Sequence, residues 1–129
     1  DLRYIRGFDR DDTADFSQEM KNPGAKVLLL NHNDSIKFGN SQLWVMHTPG
    51  HSAGCICLYG SDNIFTGDTL FTEGVGRTDL PDSSERDLAD SIRNKILALP
   101  DHTKIWPGHH YGRNAVSTVE EQKKYYGIK

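Results

Sequence analysis

Three hydrophobic segments of this sequence end at a glycine that is followed at once by a histidine or an aspartate. His51 follows Pro-Gly, Asp68 follows Thr-Gly and His109 follows Pro-Gly, each where a strand-like run ends. Glycine lets the backbone turn sharply and approach a ligand closely. Two imidazoles and a carboxylate are donors that zinc, iron and manganese bind well. If the three strands are neighbours in a sheet, their side chains predict one metal site at its edge.

The pattern of apolar residues predicts a mixture of strands and helices. Strands are expected at six runs: 25–31, 34–40, 42–48, 54–60, 63–68 and 103–108. The fourth and fifth runs form a hairpin across Ser61 and Asp62. Helices are expected at three places: 13–20 with Asp12 as its N-cap, 84–99 and 117–126. The glycine-rich segment 72–84 is expected to be a loop.

The second and third helices carry capping signals. Ser84 with Asp87 three residues later resembles a capping box, and Ser117 with Glu120 gives another. Gly127 closes the last helix. The longer helix presents one apolar face, made of Leu88, Ile92, Ile96 and Leu99.

This order of elements predicts an α/β fold with a mixed sheet and helices on one side. The helices are too few to cover both faces of the sheet, so the other face needs a partner or further chain. Trp44 and Trp106 lie in apolar strands and are expected in the core.

Composition excludes several classes of function. The chain has 129 residues and a net charge of −3, and no basic stripe points to nucleic acid. No apolar run approaches the roughly 20 residues that cross a bilayer.

Cys55 and Cys57 are two residues apart in a strand, where a disulfide between them is disfavoured. We expect a reduced pair in a cytoplasmic protein, with metal binding through Cys-x-Cys as the weaker alternative.

Four motifs carry a resemblance to a known family. In order, "HTPGHSAG", "FTGDTLF", "GVGRTDLP" and "WPGHHYG" resemble the second half of the metallo-β-lactamase superfamily hydrolases. The hydroxyacylglutathione hydrolase (glyoxalase II) and persulfide dioxygenase branch is the most similar, over residues 25–112. The resemblance implies part of an αββα sandwich. It also implies that His51 binds one metal, His109 a second, and that Asp68 bridges both as the catalytic carboxylate.

The first half of the family pattern is missing. The family supplies further ligands from an H-x-H-x-D-H loop, and no histidine here has another histidine two positions away. Residues 1–129 therefore resemble the C-terminal portion of a single domain. The complete domain is expected to hold two zinc ions, with iron or manganese as alternatives. Three ligands meant for two ions predict at most one weak site, and an isolated chain inactive as a hydrolase.

Five further residues are candidates for contacting the substrate or supporting the ligands. His47 either supports the site or forms a hydrogen bond within its loop, and His110 is expected to point away from its neighbour. Arg77 and Asp79 are expected to form a buried or loop-ordering pair, with recognition of a substrate anion as the alternative. Tyr111 is a candidate for bordering the pocket, because a tyrosine that follows a ligand often offers its hydroxyl to the substrate.

Three functions remain open at this point. The first is a hydrolase of thioesters, such as S-acyl glutathione, or of related esters. The second is a persulfide dioxygenase with one iron ion. The third is a non-catalytic module that self-associates as a homodimer or a swapped assembly, because an incomplete sandwich exposes apolar faces and edges.

Overall fold

The structure, a computed structural model, describes residues 28–129. The chain divides between Leu30 and Asn31, and Asn31–Lys129 forms one compact unit. The predicted helix 13–20, its cap Asp12 and the start of the predicted strand 25–31 lie outside the described residues. Across residues 28–129, no helix has the length and apolar character needed to cross a bilayer.

The described strands form a larger and a smaller sheet. In chain order they are β1 (Ser35–Phe38), β2 (Ser41–His47), β3 (Ile56–Gly60), β4 (Asn63–Gly67), β5 (Leu70–Phe71), β6 (Gly74–Val75), β7 (Lys104–Pro107) and β8 (Ser117–Thr118). The larger sheet has the order β1-β2-β3-β4-β7-β8, and β5 pairs with β6 in the smaller one. Only the β4–β7 pairing is parallel among these described strands, so the sheet is mixed, as predicted.

Strand direction brings three strand ends to one edge of the sheet. β2 and β4 are both antiparallel to β3, and β7 is parallel to β4, so β2, β4 and β7 run the same way. Gly67 is paired with Pro107, and the Gly108 amide donates to the Gly67 carbonyl at 2.8 Å. The residues that follow these three strands therefore emerge at the same edge.

The hairpin between β3 and β4 turns at the two residues that the sequence indicated. Ser61 and Asp62 have φ values of 49° and 60°. Two consecutive left-handed residues form the hairpin turn whose twist matches that of the flanking strands. Tyr59 then pairs with Ile64 across the ladder, which fixes the side chains that face the core.

The helices cover one side of the larger sheet. Helix α1 (Glu85–Asp90) continues into a π-helix (Ser91–Ile96), and α2 (Val119–Tyr125) follows β8. The buried cluster joins these helices to β3, β4, β5 and β7 and consists of Cys57, Ile64, Leu70, Leu88, Ile92, Ile96, Leu97, Ile105 and Val119. This arrangement confirms the predicted mixed sheet with helices on one side.

The first predicted cap is present and the second is displaced by one residue. The Ser84 hydroxyl accepts from the Asp87 amide at 3.2 Å. At α2 the capping box is formed by Thr118 and Glu121, so the prediction of Ser117 and Glu120 was wrong. Ser117 belongs to β8, and its extended backbone places the next residue at the start of the helix.

Three predictions about burial were also wrong. Leu28 and Leu29 lie in no strand and are 72% and 71% exposed, because none of the described strands pairs with this segment. Trp44 is 49% exposed because it lies at the β1–β2 end of the sheet. None of the fully buried residues of the cluster belongs to β1 or β2. Trp106 is 40% exposed, because strand alternation gives the core-facing position to its neighbour Ile105.

Candidate metal centre

The carboxylate of Asp68 lies between two imidazoles. His51 Nε2 is 3.6 Å from Asp68 Oδ2, and His109 Nδ1 is 2.8 Å from Asp68 Oδ1. Each carboxylate oxygen thus faces a different histidine. The His51 side chain is buried, whereas that of His109 is half exposed. The structure brings together the three residues that the strand ends indicated; their role as metal ligands stays a prediction.

His51 is held in one orientation by the segment that follows β6. Its Nδ1 is 2.9 Å from the Arg77 carbonyl oxygen. A carbonyl can only accept, so Nδ1 carries the hydrogen, and Nε2 is the ring nitrogen directed toward Asp68. The Ser83 hydroxyl also donates to the His51 carbonyl at 2.7 Å. A histidine that binds a metal characteristically has its second nitrogen fixed in this way.

Two glycines allow the backbone to pack closely around these side chains. A Cβ on Gly76 would overlap the Asp68 carbonyl oxygen and lie 3.0 Å from the His51 ring. A Cβ on Gly108 would lie 3.0 Å from Asp68 Oδ1. Both glycines belong to the motifs in the sequence. A side chain at Gly76 would require the backbone to shift, whereas one at Gly108 would press tightly on Asp68.

An aromatic group supports the exposed imidazole. The Tyr111 ring stacks on His109 with centroids 5.0 Å apart and an angle of 16°. Phe71, from β5, meets His109 edge-on at 6.0 Å and Tyr111 at 4.9 Å. Sequence reasoning did not single out Phe71, although it ends the "FTGDTLF" motif three residues after Asp68. Tyr111 lies beside the candidate site, in agreement with its expected position.

His47 and His110 lie outside the group formed by His51, Asp68 and His109. His47 Nε2 is 2.9 Å from the Ala53 carbonyl oxygen, which is the loop hydrogen bond that the sequence left as one alternative. The Lys95 ammonium donates to the His47 carbonyl at 2.6 Å. The His110 side chain is exposed, next to the His109 that faces Asp68.

Arg77 and Asp79 form a pair at the surface. Arg77 Nε and Nη2 donate to the two carboxylate oxygens of Asp79 at 2.6 and 2.8 Å. The side chains are 63% and 68% exposed, so the expectation of a buried pair was wrong and the loop-ordering alternative describes it. The hydrogen bond from Arg77 lowers the pKa of Asp79 to about 2. The same carboxylate raises the pKa of Arg77.

The cysteines are free, and their sulfur atoms contact hydroxyl groups rather than His51, Asp68 or His109. Cys57 is fully buried, its Sγ 3.3 Å from the Thr48 hydroxyl. Burial raises the pKa of the Cys57 thiol to about 11. A thiol that stays protonated at neutral pH is a poor metal ligand. Cys55 Sγ lies 2.8 Å from the Ser52 hydroxyl.

The donor chemistry fits a metal, but the set is incomplete. Nowhere in residues 28–129 do three or more histidine, cysteine, aspartate or glutamate side chains stand in an arrangement that could hold an ion by themselves. The two imidazoles contact Asp68 directly and do not surround a common point with it. The second ring nitrogen of His51 is nevertheless fixed as a metal ligand requires, so these residues suit part of a larger site.

Comparison with known proteins gives the family. Residues 2–109 match the family model of the Metallo-beta-lactamase superfamily. The chain belongs to this superfamily. Proteins of the superfamily depend on a metal, generally zinc or iron.

Its relatives lie in the branch that the motifs indicated. The chain is 35% identical over 95 residues to the probable polyketide biosynthesis zinc-dependent hydrolase PksB of Bacillus subtilis (strain 168), covering 74% of this chain and 42% of that protein. It is 40% identical over 98 residues to the persulfide dioxygenase ETHE1 of Homo sapiens, covering 74% and 39%. The crystal structure of ETHE1 from Myxococcus xanthus has a TM-score of 0.72 at 35% identity, covering 74% of this chain and 43% of that one.

These comparisons confirm the resemblance and the partial metallo-β-lactamase fold. The chain spans about two fifths of the length of the curated relatives it matches. One relative is named a hydrolase and the other a dioxygenase, so the family resemblance supports a metal-dependent, hydrolase-like protein without selecting a substrate.

Proposed function

We propose that this chain forms the C-terminal half of the metal centre of a hydrolase that acts on thioesters or related esters. His51 and His109 are the proposed metal ligands, and Asp68 is the proposed bridging and catalytic carboxylate. Other donors, from chain outside the described residues or from a partner, would complete the site. The chain by itself is expected to be inactive as a hydrolase.

One observation supports a site with two metal ions bridged by Asp68. The two oxygens of Asp68 face different imidazoles, at 3.6 and 2.8 Å. A carboxylate that bridges two ions can direct one oxygen at each, with a separate histidine beside each. The arrangement of Asp68 between His51 and His109 is compatible with that form.

The two proposed histidine ligands have distinct tasks in the site. Zinc, or iron or manganese, would lower the pKa of a water molecule and polarise the carbonyl of the substrate. Buried His51 presents Nε2 in a fixed orientation because Arg77 accepts from its other nitrogen. Half-exposed His109 stands at the open side of the site, where its stacked neighbour Tyr111 is 68% exposed and accessible to a substrate.

Metal content and hydrolysis test the proposal. We expect His109→Gln and Asp68→Asn to reduce the zinc bound by the purified protein, measured by plasma mass spectrometry after dialysis. His110→Gln is the matched control, because it removes a neighbouring exposed imidazole that does not face Asp68. Equal zinc loss from His109→Gln and His110→Gln would contradict the proposal. Turnover of an S-acyl glutathione by the protein with its completing half, lost in Asp68→Asn, would support the hydrolase chemistry.

The second candidate is a persulfide dioxygenase that uses one iron ion. The 40% identity to human ETHE1 supports it, and PksB, at 35%, is an equally close relative. Two histidines and a carboxylate are also the ligands of many mononuclear iron sites. Iron at one ion per chain together with oxygen uptake on glutathione persulfide would favour this candidate and contradict the hydrolase.

Self-association with a second copy is proposed for the chain when it is alone. Phe65 and Trp106 are paired across β4 and β7, their rings 6.4 Å apart, and are 44% and 40% exposed. Exposed aromatic side chains on a sheet face favour association. Sedimentation showing a stable monomer at high concentration would contradict this. A cytoplasmic location and the absence of nucleic-acid and membrane partners stay predictions.

A further inference from the structure

The segment after His109 has no helix or strand of its own until β8 begins at Ser117. It carries both His109 and the stacked Tyr111. A ligand on irregular backbone is positioned only as well as its neighbours hold that backbone. The contacts of residues 110–114 with the rest of the protein therefore decide how well His109 is placed.

Thr72 makes the central contact of this segment. It is buried, 5% exposed, and directly follows Phe71, whose ring packs against His109 and Tyr111. The Thr72 hydroxyl donates to the Asn114 carbonyl at 2.9 Å. A Cβ on Gly112 would collide with that same hydroxyl, so the segment lies directly against Thr72.

The other side of Thr72 is fixed to helix α2. Gln122, 1% exposed, donates from Nε2 to the Thr72 carbonyl at 2.6 Å and to the Ser117 hydroxyl at 2.9 Å. Thr72 is therefore bonded on one side to a buried side chain and on the other to the irregular backbone beyond His109. Glu73 adds a weaker contact, because its carboxylate accepts from the Arg113 amide at 3.2 Å.

We propose that Thr72 is a positioning residue that holds the candidate ligand His109 through the segment 110–114. Its hydroxyl fixes the far end of this segment, and the Phe71 ring beside it supports the near end. The effect on metal binding rests on the proposed function; the effect on the backbone does not.

A pair of threonines gives a matched test. Thr72→Val keeps the shape of the side chain and removes the donor, whereas Thr72→Ser keeps the donor. Thr103→Val is the control, because Thr103 is also fully buried but its hydroxyl has no hydrogen-bond partner within the described part of the chain. Thr103 precedes β7, at the opposite end of that strand from His109.

Two measurements are made on each variant. The first is amide hydrogen exchange at residues 112–114 in the metal-free protein, where we expect Thr72→Val to increase the rate about tenfold. The second is the zinc dissociation constant, from competition with a chromophoric chelator. Loss of an outer hydrogen bond to a ligand typically weakens metal binding about 10–100-fold, and we expect the lower end for Thr72→Val. Thr72→Ser and Thr103→Val are expected to match the wild type.

The outcomes separate this inference from the proposed function. Unchanged exchange in Thr72→Val would overturn the inference, and so would equal effects of Thr72→Val and Thr72→Ser. Faster exchange with an unchanged zinc dissociation constant would overturn the positioning of His109. If the wild type together with its completing half bound no zinc, the proposed function would fail, and faster exchange would still support the role of Thr72 in holding the segment.

Discussion

Gly76→Ala is the change that tests most directly how the backbone builds the candidate site. The new Cβ would overlap the Asp68 carbonyl oxygen and press on the His51 ring. A backbone oxygen cannot rotate away, so the backbone at Gly76 or Asp68 must shift. Overpacking of this kind costs about 1–3 kcal/mol, and we expect about 3 kcal/mol here. With a urea dependence of roughly 2 kcal/mol per molar, the unfolding midpoint should fall by about 1.5 M.

Gly74→Ala provides the control two residues earlier. A Cβ on Gly74 has nothing within 4 Å. Gly74 belongs to β6, which ends one residue before Gly76, so both variants change the same segment. We expect a change in the free energy of unfolding within about 0.5 kcal/mol. Zinc titration of the same samples should show weaker binding only in Gly76→Ala, because Asp68 and His51 both move. Equal urea midpoints for the two variants, or unchanged zinc affinity in Gly76→Ala, would refute the reasoning.

Three further predictions concern groups near the site and at the helix cap. Burial raises the pKa of Cys57 from 9.0 to about 11, so the unfolded chain ionises first. The free energy of unfolding should fall by about 2–3 kcal/mol between pH 9 and 11, and urea unfolding of Cys57→Ala should lack that fall. The hydrogen bond from Arg77 lowers the pKa of Asp79 to about 2. The small stabilising effect of the pair is therefore present above about pH 4 and is lost as the pH falls toward 2. Titration of the carboxyl group by NMR should show a higher pKa for Asp79 in Arg77→Gln. Thr118→Ala should cost about 1 kcal/mol in thermal unfolding and Thr118→Ser much less, since a serine also caps.

The residues of the site were predictable because each depends on local chemistry at a strand end. Glycine before a polar residue marks a turn that brings the side chain to the sheet edge, and this pattern identified His51, Asp68 and His109. Their convergence then needed only that β2, β4 and β7 run in one direction. The hairpin at Ser61–Asp62 was also predictable from local sequence, because a glycine again precedes polar residues at the end of a strand.

The failed predictions concern properties that depend on tertiary surroundings. Trp106 and Ile105 are adjacent apolar residues of one strand, and only the position of the helices decides which is buried. The leucines before Asn31 read as a buried strand, but burial requires a neighbouring strand that the sequence pattern cannot identify. The carbonyl of Arg77, which orients His51, carries no side-chain signal at all.

The described part of the chain should keep its fold when metal is removed. The buried cluster that joins the helices to the sheet contains none of His51, Asp68 and His109. The β4–β7 ladder sets Asp68 beside His109, and the Arg77 carbonyl orients His51, through hydrogen bonds of the protein itself. A domain whose folding depends on zinc lacks such independent support and unfolds in chelator. We therefore expect a cooperative urea transition and unchanged circular dichroism in excess chelator, with stability reduced only by the lost binding energy. Loss of the cooperative transition in chelator would show that the metal organises the fold and would contradict a preformed site.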